Sequence, residues 1–191
     1  MFPELISRCA ALGSEQVAAL EAHYALLCKW NKVLNLTTVD RLEEAVERHY
    51  CESLFLAQHL TPGTVADIGS GAGFPGFVVA IARPDCAVTF IESHQRKSVF
   101  LREAARRLPN IRVISQRAEE VTGDFDWAIS RAVSYADLAK SIPRLSRRIA
   151  LLTGAEEPPA DWGLEWEVIP LPSGKQRFLR VSRETAGRDR S

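Results

Sequence analysis

Apolar residues recur at helical spacing through the first sixty positions. Val17, Leu20, Tyr24 and Leu27 share one face, and Leu42, Ala45, Val46 and His49 share another. The spacing predicts amphipathic helices across residues 2–60. Asp40 with Glu43 three residues later reads as a capping box in which Asp replaces the usual Ser or Thr. Thr61-Pro62-Gly63 closes this region. From residue 64 short apolar runs alternate with helix-period segments. Strands are expected at 64–68, 87–92, 111–114, 126–130 and 148–153, and helices at about 75–82, 94–108 and 134–145. Ser93 is the expected N-cap of the second helix, whose buried side carries Phe100, Leu101, Ala104 and Leu108. After Pro158-Pro159, runs at 164–169 and 176–182 flank a Pro170-to-Gly174 turn and read as an antiparallel hairpin. The alternation predicts an α/β, doubly wound, mainly parallel sheet of seven strands, with ligands beyond the carboxyl ends of its strands. Three parts follow: a helical extension over 1–60, a main domain over 61–184 and a polar, disordered tail over 185–191.

Composition changes this picture little. A chain of 191 residues buries one good core. No apolar run approaches the roughly 20 residues of a membrane span, and the MFPELISRCA start carries no secretion pattern. Cys9, Cys28, Cys51 and Cys86 are widely spaced with no CxxC pair, which argues against a metal site or a disulfide framework and fits a reducing cytoplasm. Net charge is zero but unevenly spread. Residues 96–117 carry seven basic groups against one acidic, and 131–148 carry five against one. Such clusters are either solvated helix faces or a surface for a polyanion.

The stretch VADIGSGAGFPG at 65–76 changes the picture most. A strand ending at Ile68 runs into Gly69, Gly71 and Gly73, and Pro75 stands where a helix begins. Such a turn brings bare backbone amides close to a ligand. The residues formally satisfy GxGxxG, and Glu92 lies 21 residues after Gly71 at the end of the second strand, so a dinucleotide is one reading. Asp67, in the strand just before the glycines, favours S-adenosylmethionine, because its carboxylate would attract an amino or sulfonium cation and repel a pyrophosphate. Glu92 serves either cofactor by accepting from both ribose hydroxyls. Plain structural readings stay open: Asp67 bonding its own loop, Glu92 an ordinary strand-end acid.

For a methyltransferase, the residues after the fourth strand bear on the acceptor. They read Ser130-Arg131-Ala132-Val133, without the polar-Pro-Pro-aromatic pattern of exocyclic-amine methylation. All cysteines precede residue 87, so a thiolate attacking pyrimidine carbon is not expected. An acceptor needing little activation remains, and guanine N7 has a free lone pair and no proton to lose. A small-molecule methyltransferase, a nicotinamide-linked reductase and a non-catalytic cofactor sensor are the rivals.

KWNKVLNLT at 29–37, ERHYCESL at 47–54, DIGSGAGFPG at 67–76, RKSVFLRE at 96–103, QRAEE at 116–120 and FDWAISRAV at 125–133 resemble the RsmG (GidB) family of bacterial 16S rRNA guanine-N7 methyltransferases. The resemblance spans about Lys29 to Ser182. It implies a Rossmann-like class I fold, S-adenosylmethionine as cofactor and 16S rRNA as partner, free or within the small subunit. Guanine 527 of that RNA is the implied target, and a cytoplasmic monomer without metal the implied form. It carries cofactor contacts onto Gly69, Phe74, Ala118, Glu119 and Arg131, and onto Glu92 by the strand argument. Phe74 packing beneath the loop, Ala118 as a core methyl and Arg131 as a structural arginine stay open beside these. Arg96, Lys97, Arg131, Arg144, Arg147, Arg148 and Lys175 are the candidate RNA contacts. No catalytic side chain is assigned, since transfer would rest on proximity. Trp30, Asn31 and Asn35 read as ordering a helix–loop junction, and Arg48 and His49 stay ambiguous. Thr153 stands where the family usually has lysine, and Glu52 where aspartate is common.

Overall fold

The computed structural model describes residues 1–172 and 174–183, so the tail expected from Thr185 lies outside the described residues. Seven strands form one sheet in the order β3-β2-β1-β4-β5-β7-β6. They are β1 (Gly63–Ile68), β2 (Cys86–Ile91), β3 (Ile111–Ile114), β4 (Phe125–Arg131), β5 (Ser146–Thr153), β6 (Trp166–Pro170) and β7 (Phe178–Ser182). The first five pair in parallel, and β7 and β6 close the sheet antiparallel. Order reverses between β1 and β4, the switch point at which a ligand crevice opens in such sheets.

Side-chain alternation along each strand feeds two cores. On one face Val65, Trp127, Ile129 and Leu152 pack with α5 (Gly76–Ala82) and α6 (Gln95–Ala104). On the other, Ala66, Ile68, Ala128 and Leu151 pack with α7 (Tyr135–Ala139) and α8 (Ile142–Leu145). The N-terminal helices α1 (Phe2–Ile6), α2 (Ser14–Leu34), α3 (Leu42–Ala45) and α4 (Glu52–Ala57) continue the first core outward, sharing Phe2, Leu20, Leu27 and Leu54 with it. Between α3 and α4 the chain keeps helical but widens into a π-helical stretch, Val46–Cys51.

Several local expectations are corrected. The helix after the loop starts at Leu42 with Arg41 as N-cap, and Asp40 forms no cap; the loop is held instead by Asn31, whose amide bonds both the N–H and the carbonyl of Thr37. The N-cap of α6 is His94, not Ser93, and its Nδ1 accepts from the Lys97 N–H. The helix expected over 134–145 breaks into α7 and α8, because Pro143 has no N–H to continue the ladder. The structure also joins Cys9 and Cys51 in a disulfide between the turn after α1 and the π stretch, a pairing across 42 positions that their spacing argued against.

Candidate active site

β1 delivers Asp67 to its exit on the same face as Val65, where the side chain is fully buried against α5. One carboxylate oxygen, Oδ2, accepts from the N–H of Gly76 at 3.0 Å. The other, Oδ1, is buried with no hydrogen-bond partner among the described residues. Burial, the largest cause, pushes this carboxyl from its ordinary 3.8 up to about 7; the Gly76 N–H opposes it and the nearby Glu92 adds to it, while Ser70 Oγ donates to the Asp67 backbone carbonyl. A Cβ at Gly76 would meet Asp67 Oδ2 at 2.5 Å, so only glycine brings the start of α5 this close. Gly69 turns at φ +70°, and a Cβ there would meet Val133 Cγ2 at 2.5 Å. The loop thus bends against the chain leaving β4.

Glu92, at the end of β2, accepts from the Gly71 N–H at 2.9 Å and from the His94 N–H at 2.8 Å. Gly69, Gly71, Gly73 and Glu92 therefore form one crest over the ends of β1 and β2, with Asp67 buried beneath it against the start of α5. Ala118 opens a single 3-10 turn after β3 and packs on the core that holds Ile68 and Ile91, the last residues of those strands. Glu119 follows it exposed, its carbonyl taken by Arg144 Nη2. Phe74 is buried, its ring stacked on His49 at 4.8 Å and set edge-on to Tyr50 and His23. Any contact it makes with a ligand comes from its backbone.

His23 was not legible as a site residue. It reaches up from α2, with Nε2 3.1 Å from the Ala72 carbonyl and Nδ1 2.8 Å from the Tyr50 hydroxyl. A carbonyl only accepts, so Nε2 carries the proton and Nδ1 accepts from Tyr50. Burial holds His23 neutral, its pKa lowered to about 4. Its contact with Ala72 makes the N-terminal extension part of the glycine loop's support.

Beside the crest a cleft of about 350 Å³ opens beyond β4 and β5. Ser130, Arg131, Val133, Tyr135 and Thr153 line it, with Arg48 from the π stretch and Arg177 from the approach to β7. Ala132 holds the turn at φ +58°, a left-handed conformation that costs an ordinary residue about 1 kcal/mol and gathers at functional sites. Arg131 Nη1 donates to the Arg48 carbonyl at 2.6 Å. Arg177 forms a bidentate pair with Glu52, whose side chain is wholly buried. Burial, then the neighbouring Arg177 and Arg48, lower the Arg131 pKa to about 10, while Glu52 opposes them. Thr153, at the place of the family's lysine, accepts from Arg180, whose buried guanidinium also holds the Gly154 carbonyl. A cation thus still stands at this strand end.

Arg96 and Lys97 lie on the first turn of α6, Arg144 on α8 next to Glu119, and Lys175 exposed on the approach to β7. Arg147 and Arg148 stand apart. They begin β5, five or more positions before its crest end at Thr153, on the order of 15–20 Å away. Arg148 lies over the Trp127 ring and bonds Thr61 at that far edge.

The residues at the crest fit S-adenosylmethionine. Among the described residues a buried carboxylate oxygen lacks a donor, a second carboxylate stands at the next strand end, and the loop between them has glycine at 69, 71 and 73. A family model described as rRNA small subunit methyltransferase G (GidB) matches residues 16–152. The ribosomal RNA small subunit methyltransferase G of Methylobacillus flagellatus is 44% identical over 137 residues, 70% of this chain and 67% of that protein. That of Halorhodospira halophila is 41% identical over 69% of this chain and 64% of its own length. The aligned part is about two thirds of these relatives' length. Among solved structures, a SAM-dependent methyltransferase from Aquifex aeolicus superposes with a TM-score of 0.57 at 17% identity, over 74% of this chain and 93% of that one. The 23S rRNA methyltransferase ErmE superposes with 0.54 at 19% identity, over 71% and 68%. Those likenesses show the Rossmann-like class I methyltransferase fold; the sequence matches go further, and the chain belongs to the rRNA small subunit methyltransferase G family.

Proposed function

We propose that the chain transfers a methyl group from S-adenosylmethionine to N7 of a guanine in 16S rRNA, acting as a cytoplasmic monomer on the RNA or on a small-subunit particle. The observation that carries this reading is the buried, half-satisfied Asp67 at the foot of a glycine crest that opens beside a cationic cleft. Asp67, the Gly69–Gly73 loop and Glu92 would hold the cofactor, with Ala118 and Glu119 at its base end and Arg131 between crest and cleft. The cofactor, when bound, supplies an electrophilic methyl on a sulfonium. The protein's part is to hold and to orient. Asp67 would offer an anion to a cationic group, and the Glu92 oxygens, each accepting one backbone N–H, would turn their remaining lone pairs to sugar hydroxyls. Guanine N7 carries no proton in the neutral base, so no residue has to remove one. Orientation at short range then supplies the rate. The cleft beside the crest would take the guanine, splayed from an unpaired loop because A-form helices hide this edge.

Two measurements test the reading together. Calorimetry with S-adenosylhomocysteine should give one site per chain, and radiolabel from S-adenosylmethionine should move onto small subunits lacking the modification. Binding without transfer to any RNA would refute the RNA methyltransferase and leave a cofactor sensor or a small-molecule methyltransferase.

A further inference from the structure

The cleft beyond β4 and β5 gathers three guanidiniums from three distant parts of the chain: Arg48, Arg131 and Arg177. We propose that they form a socket for one phosphodiester group flanking the target guanine, built around the buried carboxylate of Glu52; the proposal rests on the rRNA reading above and gives its cleft a ligand. Glu52 holds Arg177 by two hydrogen bonds of 2.5 and 2.6 Å, which fix the guanidinium plane. Arg131 is fixed through one N–H on the Arg48 carbonyl. A guanidinium has five N–H donors, so both side chains keep hydrogen-bonding capacity on the wall they share. Arg48 completes the wall, its Nη1 on the half-exposed Glu44.

Charge points the same way. Three cations line the cleft; of the nearby acids, Glu52 is engaged by Arg177, Glu44 is drawn to Arg48 and Glu156 is exposed at the rim. Arg48 and Arg177 stand beside Arg131 on this lining; burial is the largest cause of its depressed pKa, Glu52 opposes it, and the two like charges add smaller shares. An anion in the cleft relieves that repulsion. The planar fork of arginine can also meet two oxygens of a phosphate at once, which the point charge of lysine cannot. Tyr135, on the same lining, offers a ring on which an unstacked base can rest. A cleft of about 350 Å³ is at the small end of ligand sites and suits one nucleotide rather than a helix.

The test uses the full chain saturated with S-adenosylhomocysteine and guanosine 3′,5′-bisphosphate as the probe, followed by RNA kinetics. Arg48→Gln removes a half-exposed arm. Glu52→Gln/Arg177→Gln removes the buried pair together, so no lone charge is left inside, and thermal melts check that each variant folds. Each variant should bind the bisphosphate roughly tenfold more weakly. KM for RNA should rise similarly and the salt slope of RNA binding should fall by about one unit, with cofactor affinity unchanged. Folded variants with unchanged bisphosphate affinity and unchanged salt slope overturn the socket, as does a loss confined to cofactor affinity, which would assign the arginines to the cofactor's own carboxylate. A wild-type chain that binds the bisphosphate but labels no RNA sinks the rRNA reading while keeping the socket. RNA labelled equally well, with unchanged KM, by the wild type and both variants does the reverse.

Discussion

Replacing Asp67 by Asn separates what the site needs from what the fold prefers. Asp67 is fully buried, one oxygen bonded to Gly76 N–H and the other without a partner. Its carboxyl is pushed from 3.8 to about 7. A raised carboxyl pKa means the folded state holds a proton that the unfolded chain has released. Stability from this group is therefore complete below pH about 4 and is lost as pH climbs to about 7. A shift of about three units corresponds to roughly 4 kcal/mol between those limits, at 1.36 kcal/mol per unit. Asp67→Asn keeps the shape and the Gly76 bond but has no charge to lose. Urea titrations at pH 4.5 and pH 8 should show the variant gaining on the wild type as pH rises, by about 2–4 kcal/mol before the cost of its unpaired amide N–H. S-adenosylmethionine affinity should fall roughly tenfold to hundredfold, the worth of a hydrogen bond to a charged group. Calorimetry checks the second half. A wild type and variant that keep a constant stability difference across this range would refute the buried-charge argument, and undiminished cofactor binding would refute the role given to the carboxylate.

Gly69→Ala should cost about 1–2 kcal/mol of stability and weaken cofactor binding, because φ is +70° and the new Cβ meets Val133 Cγ2; a melt indistinguishable from wild type would contradict the geometry. His23, neutral in the fold with a pKa lowered from 6.5 to about 4, binds a proton on unfolding, so its contribution is present above pH 6.5 and is lost as pH falls toward 4. His23→Gln should flatten the acid limb of a stability–pH curve in that window, and an unchanged limb would place the acid sensitivity elsewhere. Glu52→Ala should destabilise by about 3–5 kcal/mol by stranding Arg177, with part recovered in the Glu52→Gln/Arg177→Gln double variant; additive losses would deny the coupling. Reduction of the Cys9–Cys51 disulfide, which closes a loop of 42 positions, should lower unfolding stability by roughly 4 kcal/mol on the chain-entropy view, and identical melts with and without reductant would show that the bond adds nothing.

Much of this site was legible because its parts are local. The strand–glycine–helix junction at 65–76 carries its own signature, and Asp67, Gly69 and Glu92 meet where a doubly wound sheet must switch. The five parallel strands fall within two residues of expectation, since buried parallel strands read as short continuous apolar runs. What escaped was long-range. Glu52 and Arg177 are 125 positions apart, and nothing in either neighbourhood announces the other. His23 shares a face with apolar residues on α2 and reads as core until Ala72 and Tyr50 are placed beside it. The π stretch at 46–51 keeps ordinary helical spacing in sequence, yet it sets the Arg48 carbonyl on Arg131. The basic run ending at Arg147 and Arg148 looked continuous, but it straddles α8 and the start of β5, so strand direction carries its last two members to the opposite edge. Net charge along a chain does not report which end of a strand bears it.

The identity of the methylated atom separates a guanine-N7 methyltransferase from every rival. Small-subunit RNA lacking the modification, incubated with the chain and labelled S-adenosylmethionine, should yield labelled 7-methylguanosine on digestion and, after borohydride and aniline, strand scission at one guanine. Label on any other nucleoside, label on another atom of guanine, or none on RNA at all would contradict it.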